Sequence, residues 1–184
     1  KYSVKLLFRD WPIYLPLFML IIYIIFEIMI FLDNYWITQY GNIVKSITIL
    51  SYFGLVCKYN LYDSAFEKYK NKGLIGFLTS PFMFAIVALG IGYLLNYIAI
   101  TANGGHMPVF PSYTYFTGYT DPESFTEDSF YILGDHTSKA IPLCDTIDIF
   151  YSNLSIGDVF VRGYAFILLY FSIRNANKTV DAMN

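Results

Sequence analysis

The 184 residues are 56% hydrophobic and 20% aromatic with only 14% charged, a balance too apolar for an ordinary soluble domain of this length. A formal net charge of −2 with no basic stripe excludes a nucleic-acid partner. The sequence has no C-x-x-C, H-x-x-x-H, H-E-x-x-H, G-x-S-x-G or Walker pattern. It therefore points to no metal, cofactor or catalytic nucleophile.

The first apolar run, 11–32, is too long for the core of a signal peptide and lacks an A-x-A-like cleavage site, so it reads as a membrane span. The chain opens on Lys1 and not on Met, which leaves room for a further span upstream. The second run, 42–57, is the shortest. Its helix reaches about 24 Å against a hydrocarbon core of about 30 Å, with Lys45 snorkelling outward. The third span, 77–101, carries Ala88, Gly92 and Asn96 at i, i+4 and i+8, a stripe of small residues that lets another helix approach. The fourth, 156–173, holds Asp158 and Arg162 one turn apart on one helical face. The expected fold is all-α, a single transmembrane domain of four spans forming a polytopic bundle.

Charge sorts the connections. Lys1, Lys5 and Arg9, then Lys58, Lys68, Lys70 and Lys72, then Arg174 and Lys178 flank the spans on one side, which is cytoplasmic by the positive-inside rule and carries both termini. The run EKYKNKG is read as this orientation signal in preference to a lipid-headgroup site. On the other side DNYWITQYG has no Lys or Arg, and the segment 102–155 sets Lys139 against seven acidic residues. That segment far exceeds the roughly 15 residues usual for a structureless loop, so an ordered extracytoplasmic cap is expected. Its aromatic half, PVFPSYTYFTGY, suits the headgroup level or a partner protein. Cys57 and Cys144 then fall on opposite sides of the membrane, and no internal disulfide is expected.

With direction assigned, Glu27, Lys45, Asn96, Asp158 and Arg162 all fall in the outer half of their spans, which suggests a polar chamber open to the outside. The competing reading is structural: Glu27 pairs with Lys45, Asp158 pairs with Arg162, and both pairs hold the bundle together. Beyond Asn96, the residues Asn103, Gly104 and Gly105 have the chemistry of a helix C-terminus, and Pro108 prevents its resumption. Their functional reading brings backbone close to a ligand, with His106 as a titratable group at the chamber mouth. The candidate binding residues are thus Glu27, Lys45, Asn96, Asn103, Gly104, Gly105, His106, Asp158 and Arg162.

ANGGHMPV at the end of a span, TSKAIPLCDTI in the following loop and SIGDVF opening the last span together resemble an uncharacterised family of small bacterial polytopic integral membrane proteins. Similar members often carry Arg at the position of His106 and Gly at that of Cys144, and begin with an additional apolar segment. The resemblance implies a bacterial inner-membrane location but no activity, cofactor or partner. The function expected is that of a non-enzymatic accessory or binding subunit, engaging a membrane-protein partner, a second copy or a lipid-like ligand. A small transporter or channel, with Glu27, Lys45, Asp158 and Arg162 along a path, is the rival. A lipid-acting ectoenzyme would lack any nucleophile or metal signature.

Overall fold

The computed structural model describes residues 11–181 apart from 33, 119, 122, 124 and 126–128. The basic flank of Lys1, Lys5 and Arg9 lies outside the described residues, as do Tyr119, Glu127, Asp128 and Asn184.

Seven α-helices appear among the described residues: α1 Tyr14–Phe31, α2 Gly41–Ser51, α3 Phe53–Lys58, α4 Leu61–Leu78, α5 Pro81–Ala102, α6 Tyr113–Thr117 and α7 Ile156–Asp181. Proline sits where helices begin. Pro16 is in the first turn of α1 and Pro81 opens α5, positions whose N–H would have no intrahelical partner in any case. The Ser80 hydroxyl accepts the Met83 N–H at 3.3 Å and completes that start. Among the described residues, three stretches are long and apolar enough to cross a membrane: Trp11–Ile30, Phe66–Ala102 and Ile156–Lys178. Within the chain only 28%, 17% and 22% of their apolar windows are buried, and exposed apolar surface of that extent is the mark of a membrane protein.

The stretch 42–57, expected as a span, forms α2 and α3 with a break at Tyr52. Side-chain bonds explain the interruption: the Thr48 hydroxyl donates to the Val44 carbonyl at 2.7 Å and the Ser51 hydroxyl to the Thr48 carbonyl at 2.6 Å. Such back-bonding bends helices. The third expected span, 77–101, lies within the stretch Phe66–Ala102, and its helix is interrupted at Thr79 and Ser80 before Pro81 restarts it as α5.

Nor is the chain all-α. In the cap, 103–155, β1 (Met107–Val109) pairs in parallel with β2 (Tyr131–Leu133) in the register Met107↔Tyr131, Pro108↔Ile132, Val109↔Leu133. A second pair, β3 (Ile147–Asp148) and β4 (Asn153–Leu154), is antiparallel. Short strands give a long non-helical connection partners for its backbone groups.

The chain divides into two compact units, and α1, α5 and α7 contribute to both. One comprises 1–25, 39–88 and 163–184. Its core is built on Ile13 and Leu55 with Leu17, Tyr52, Tyr59, Leu169 and Ile173 around them. The other comprises 26–38 and 89–162, with Ala99, Met107 and Cys144 packed among Ile100, Phe110, Tyr131 and Leu143.

Candidate functional site

The unit containing the cap holds most of the residues singled out from the sequence. At the start of α7, Ser155 and Asp158 form a capping box: the Asp158 N–H donates to Ser155 Oγ at 2.9 Å, and the Ser155 N–H to Asp158 Oδ2 at 3.3 Å. Asn96 of α5 closes the ring. Its Nδ2 donates to Asp158 Oδ1 at 3.1 Å, and its Oδ1 accepts the Ser155 hydroxyl at 2.7 Å. The backbones meet at the same level. A Cβ on Gly157 would strike Asn96 Oδ1 and lie 2.6 Å from the Gly92 carbonyl, while one on Gly92 would lie 2.6 Å from the Gly157 carbonyl. Glycine is required at both positions for this approach.

Asp158 is therefore held by Asn96 and Ser155; Lys70–Glu67, at 3.1 Å, is an ion pair on the exposed face of α4. Helical Cα–Cβ bonds tilt toward the N-terminus, so a carboxylate in the first turn reaches back to the cap. Arg162 is half-buried and engaged in other interactions. Glu27 in α1 and Lys45 in α2 are likewise half-buried and engaged, and they belong to different units.

At the other end of α5 the glycines cap the helix. The Gly105 N–H donates to the Ile100 carbonyl at 2.9 Å, the 6→1 bond of a Schellman end, with Gly104 at φ 70 and Gly105 at φ 99. Asn103 clamps the cap across a separation of 36 residues: its Oδ1 accepts the Lys139 N–H at 2.8 Å, and its Nδ2 donates to the Lys139 carbonyl at 2.9 Å and the Ala99 carbonyl at 2.8 Å. This joins ANGG to TSKAIPLC and seats Cys144, which is fully buried. Burial, and then the neighbouring Asp145 charge, push its thiol pKa up. His106 Nδ1 lies 2.8 Å from the Ser129 carbonyl. That oxygen can only accept, so Nδ1 carries the proton and the ring ties the start of β1 to the approach to β2.

Asn103 and Gly104 also line a cleft of about 370 Å³, together with Asp135, Thr137, Ser138 and Lys139. Asp135 organises that rim. It accepts the Thr137 hydroxyl at 2.7 Å and the Thr137 and Ser138 N–H groups at 2.8 and 3.1 Å. The Thr137 hydroxyl and then its N–H hold the carboxyl below its usual pKa. Beyond the cleft, Asp148 caps α6 from a distance. Its Oδ2 accepts the Ser112 and Thr114 N–H groups at 2.7 and 2.9 Å, and its Oδ1 accepts that of Phe150 at 3.0 Å. Burial alone would raise the Asp148 pKa, but these bonds and the Thr114 hydroxyl outweigh it and bring the value down to about 2.

Of the aromatic run, Phe110 joins the core, Tyr113 stacks on Phe150 at 4.7 Å and Phe116 is 90% exposed. Two residues outside the candidate set, Ser155 and Asp148, also organise this unit. Ser155 is signalled in the sequence by S-x-x-D ahead of an apolar run. Asp148 has a local partner in the Phe150 N–H, but the Ser112 and Thr114 groups that it caps lie 36 and 34 residues away and give no signal near it in the sequence.

No curated protein and no solved structure matches the chain. The model of one family, described as a family of unknown function, matches residues 7–170 and so spans α1 to α5, the whole cap and most of α7. The chain belongs to this family of unknown function, DUF5317.

Proposed function

We propose that this chain is a non-catalytic integral membrane protein of the bacterial inner membrane, an accessory or binding subunit that presents its cap to a partner protein. The observation carrying this reading is the closed Asn96–Ser155–Asp158 ring. Asn96 and Asp158, expected to line a chamber, spend their hydrogen bonds on each other and on Ser155, whereas the cap offers a cleft of about 370 Å³ and outlying aromatic side chains. The binding surface is therefore the rim at Asn103, Asp135, Ser138 and Lys139, and the intramembrane polar residues are the glue beneath it. A transporter would need Asp158 to exchange partners, and its saturation argues against that.

In this reading the cap is extracytoplasmic and both termini are cytoplasmic, with α2 and α3 together making a fourth crossing. Tyr52 keeps helical dihedrals (φ −73, ψ −12), which supports treating the two as one bent segment. Impermeant maleimide tests the topology. Cys144 is too buried to react, so the reporter is Ser138→Cys, labelled in intact cells while exposed Cys57 stays protected. The reverse pattern overturns the orientation. For the function itself, the chain is purified from its own membranes with and without Ser138→Trp, which fills the cleft. A stoichiometric partner lost in the variant supports the reading, and a partner-free monomer that carries solute flux in liposomes refutes it.

A further inference from the structure

A second cavity, of about 500 Å³, lies within the other unit, between the kinked α4, the start of α5 and the last turns of α7. Its polar lining is Lys68, Thr79, Arg174, Asn175 and Lys178, with no carboxylate among the described residues that line it. Three cations around one space repel one another unless an anion sits among them. Glu67 does not serve, since it is ion-paired with Lys70 at 3.1 Å and neither residue lines the cavity.

The backbone builds this convergence. Gly73 adopts φ 60, ψ −150, a conformation essentially confined to glycine, and kinks α4 so that Gly76 abuts the Lys68 carbonyl. Lys68 Nζ thereby reaches the Thr79 carbonyl at 3.0 Å, which occupies one of its three donors. Arg174 is steadied by Phe171, with its guanidinium carbon 6.0 Å from the ring centroid, while its Nε is shut off from solvent without an acceptor. The remaining wall is apolar, with Ile167, Phe171 and Phe84, the last 60% exposed. Cations on one side and exposed hydrocarbon on the other, at the ends of two membrane-length helices, match the boundary between headgroup and acyl chain.

We propose that this cavity binds an anionic phospholipid, its phosphate among Lys68, Arg174 and Lys178 and an acyl chain along Phe84. A soluble phosphate would satisfy the cations but leave the apolar wall uncovered. The inference rests on α5 and α7 being membrane helices, independently of what the cap binds.

The full chain, purified in neutral detergent, is titrated with dioleoylphosphatidylglycerol, dioleoylphosphatidylcholine or inorganic phosphate, and followed by native mass spectrometry and thermal shift. Retention of phosphatidylglycerol should exceed that of phosphatidylcholine by at least about tenfold. Arg174→Gln and Lys178→Gln should each weaken it about fivefold, the ratio that corresponds to ~1 kcal/mol per basic residue near an anionic surface. Lys70→Gln, outside the cavity, should bind as wild type. Equal retention of the two lipids, or cavity variants that bind as wild type, overturns the proposal. So does inorganic phosphate that displaces the lipid and reproduces its thermal shift, since the site would then serve a soluble anion. If Arg174→Gln does not fold, exposed Lys178→Gln carries the test alone.

Discussion

The first and last turns of α7 treat polar groups in opposite ways. At Ser155 and Asp158 each oxygen and N–H finds a partner on the same chain, across a glycine-to-glycine approach between α5 and α7. At Arg174 and Lys178 the cations face a cavity and one buried donor lacks an acceptor. A saturated cluster in an apolar medium lowers the free energy of the fold, whereas an unsaturated one is kept for a ligand that supplies the missing charge. Stability should thus be concentrated at one end of this helix and ligand sensitivity at the other.

The strongest way to break that comparison is at the crossing. Gly157→Ala puts a methyl into Asn96 and the Gly92 carbonyl. It should cost about 1–3 kcal/mol or more, as overpacking does. Gly163→Ala, with nothing within 4 Å of the added Cβ, should be neutral or slightly stabilising. Melting temperatures in detergent measure both, and equal effects would mean that α5 and α7 do not meet at Gly92 and Gly157.

Next is the ring itself. Asn96→Ala leaves Asp158 and Ser155 short of a partner and should cost about 1–3 kcal/mol. Adding Asp158→Ala to that background should cost clearly less than in wild type, a coupling that a double-mutant cycle reads directly. Exchanging the charges through Asp158→Arg with Arg162→Asp should fail to restore stability, because a guanidinium at position 158 cannot accept the hydrogen bond that Asn96 Nδ2 donates there. Recovery in the swap would reinstate the ion pair.

Acid offers a gentler probe of the cap. Asp148 has its pKa depressed to about 2 in the folded chain, against an ordinary 3.8. Its stabilisation is complete above about pH 4, falls as pH drops from there toward 2, and is absent below. Near-UV circular dichroism of the stacked Tyr113–Phe150 pair should follow that window, and Asp148→Asn should remove the pH dependence within it. The smallest effect is expected at the far end of α7. Without lipid, Lys178→Gln should change stability by no more than about 0.5 kcal/mol, as a surface substitution does. A larger loss would mean that this cation supports the fold.

The long apolar helices α1, α5 and α7 were legible in the sequence, since apolar length and proline or glycine punctuation act on near neighbours, whereas the more polar α4 was not expected there. Asn103, Gly104 and Gly105 read as a helix end and form one. The small-residue stripe at Gly92 and Asn96 read as a helix contact and makes one with Gly157. Less legible was the break at Tyr52 within 42–57, beside which Thr48 and Ser51 turn their hydroxyls on the backbone. The cap's strands are two or three residues long, too short for any alternation to declare them.

Composition alone determined that this chain is apolar enough for a bilayer, and local punctuation determined that α5 ends at Ala102, because those depend on solvent transfer and on local backbone chemistry. By contrast, α7 continues to Asp181, past the end of the expected span at 173. Tertiary structure decided which polar group answers which. Asn96 meets Asp158 across 62 residues, Asn103 meets Lys139 across 36, and Lys68 shares a cavity with Arg174 and Lys178. An isolated Asp, Asn or Lys carries the same hydrogen-bonding capacity wherever it stands in the sequence. Only packing, which sets distance and excludes water, determines whether that capacity is met by the chain or left for a ligand.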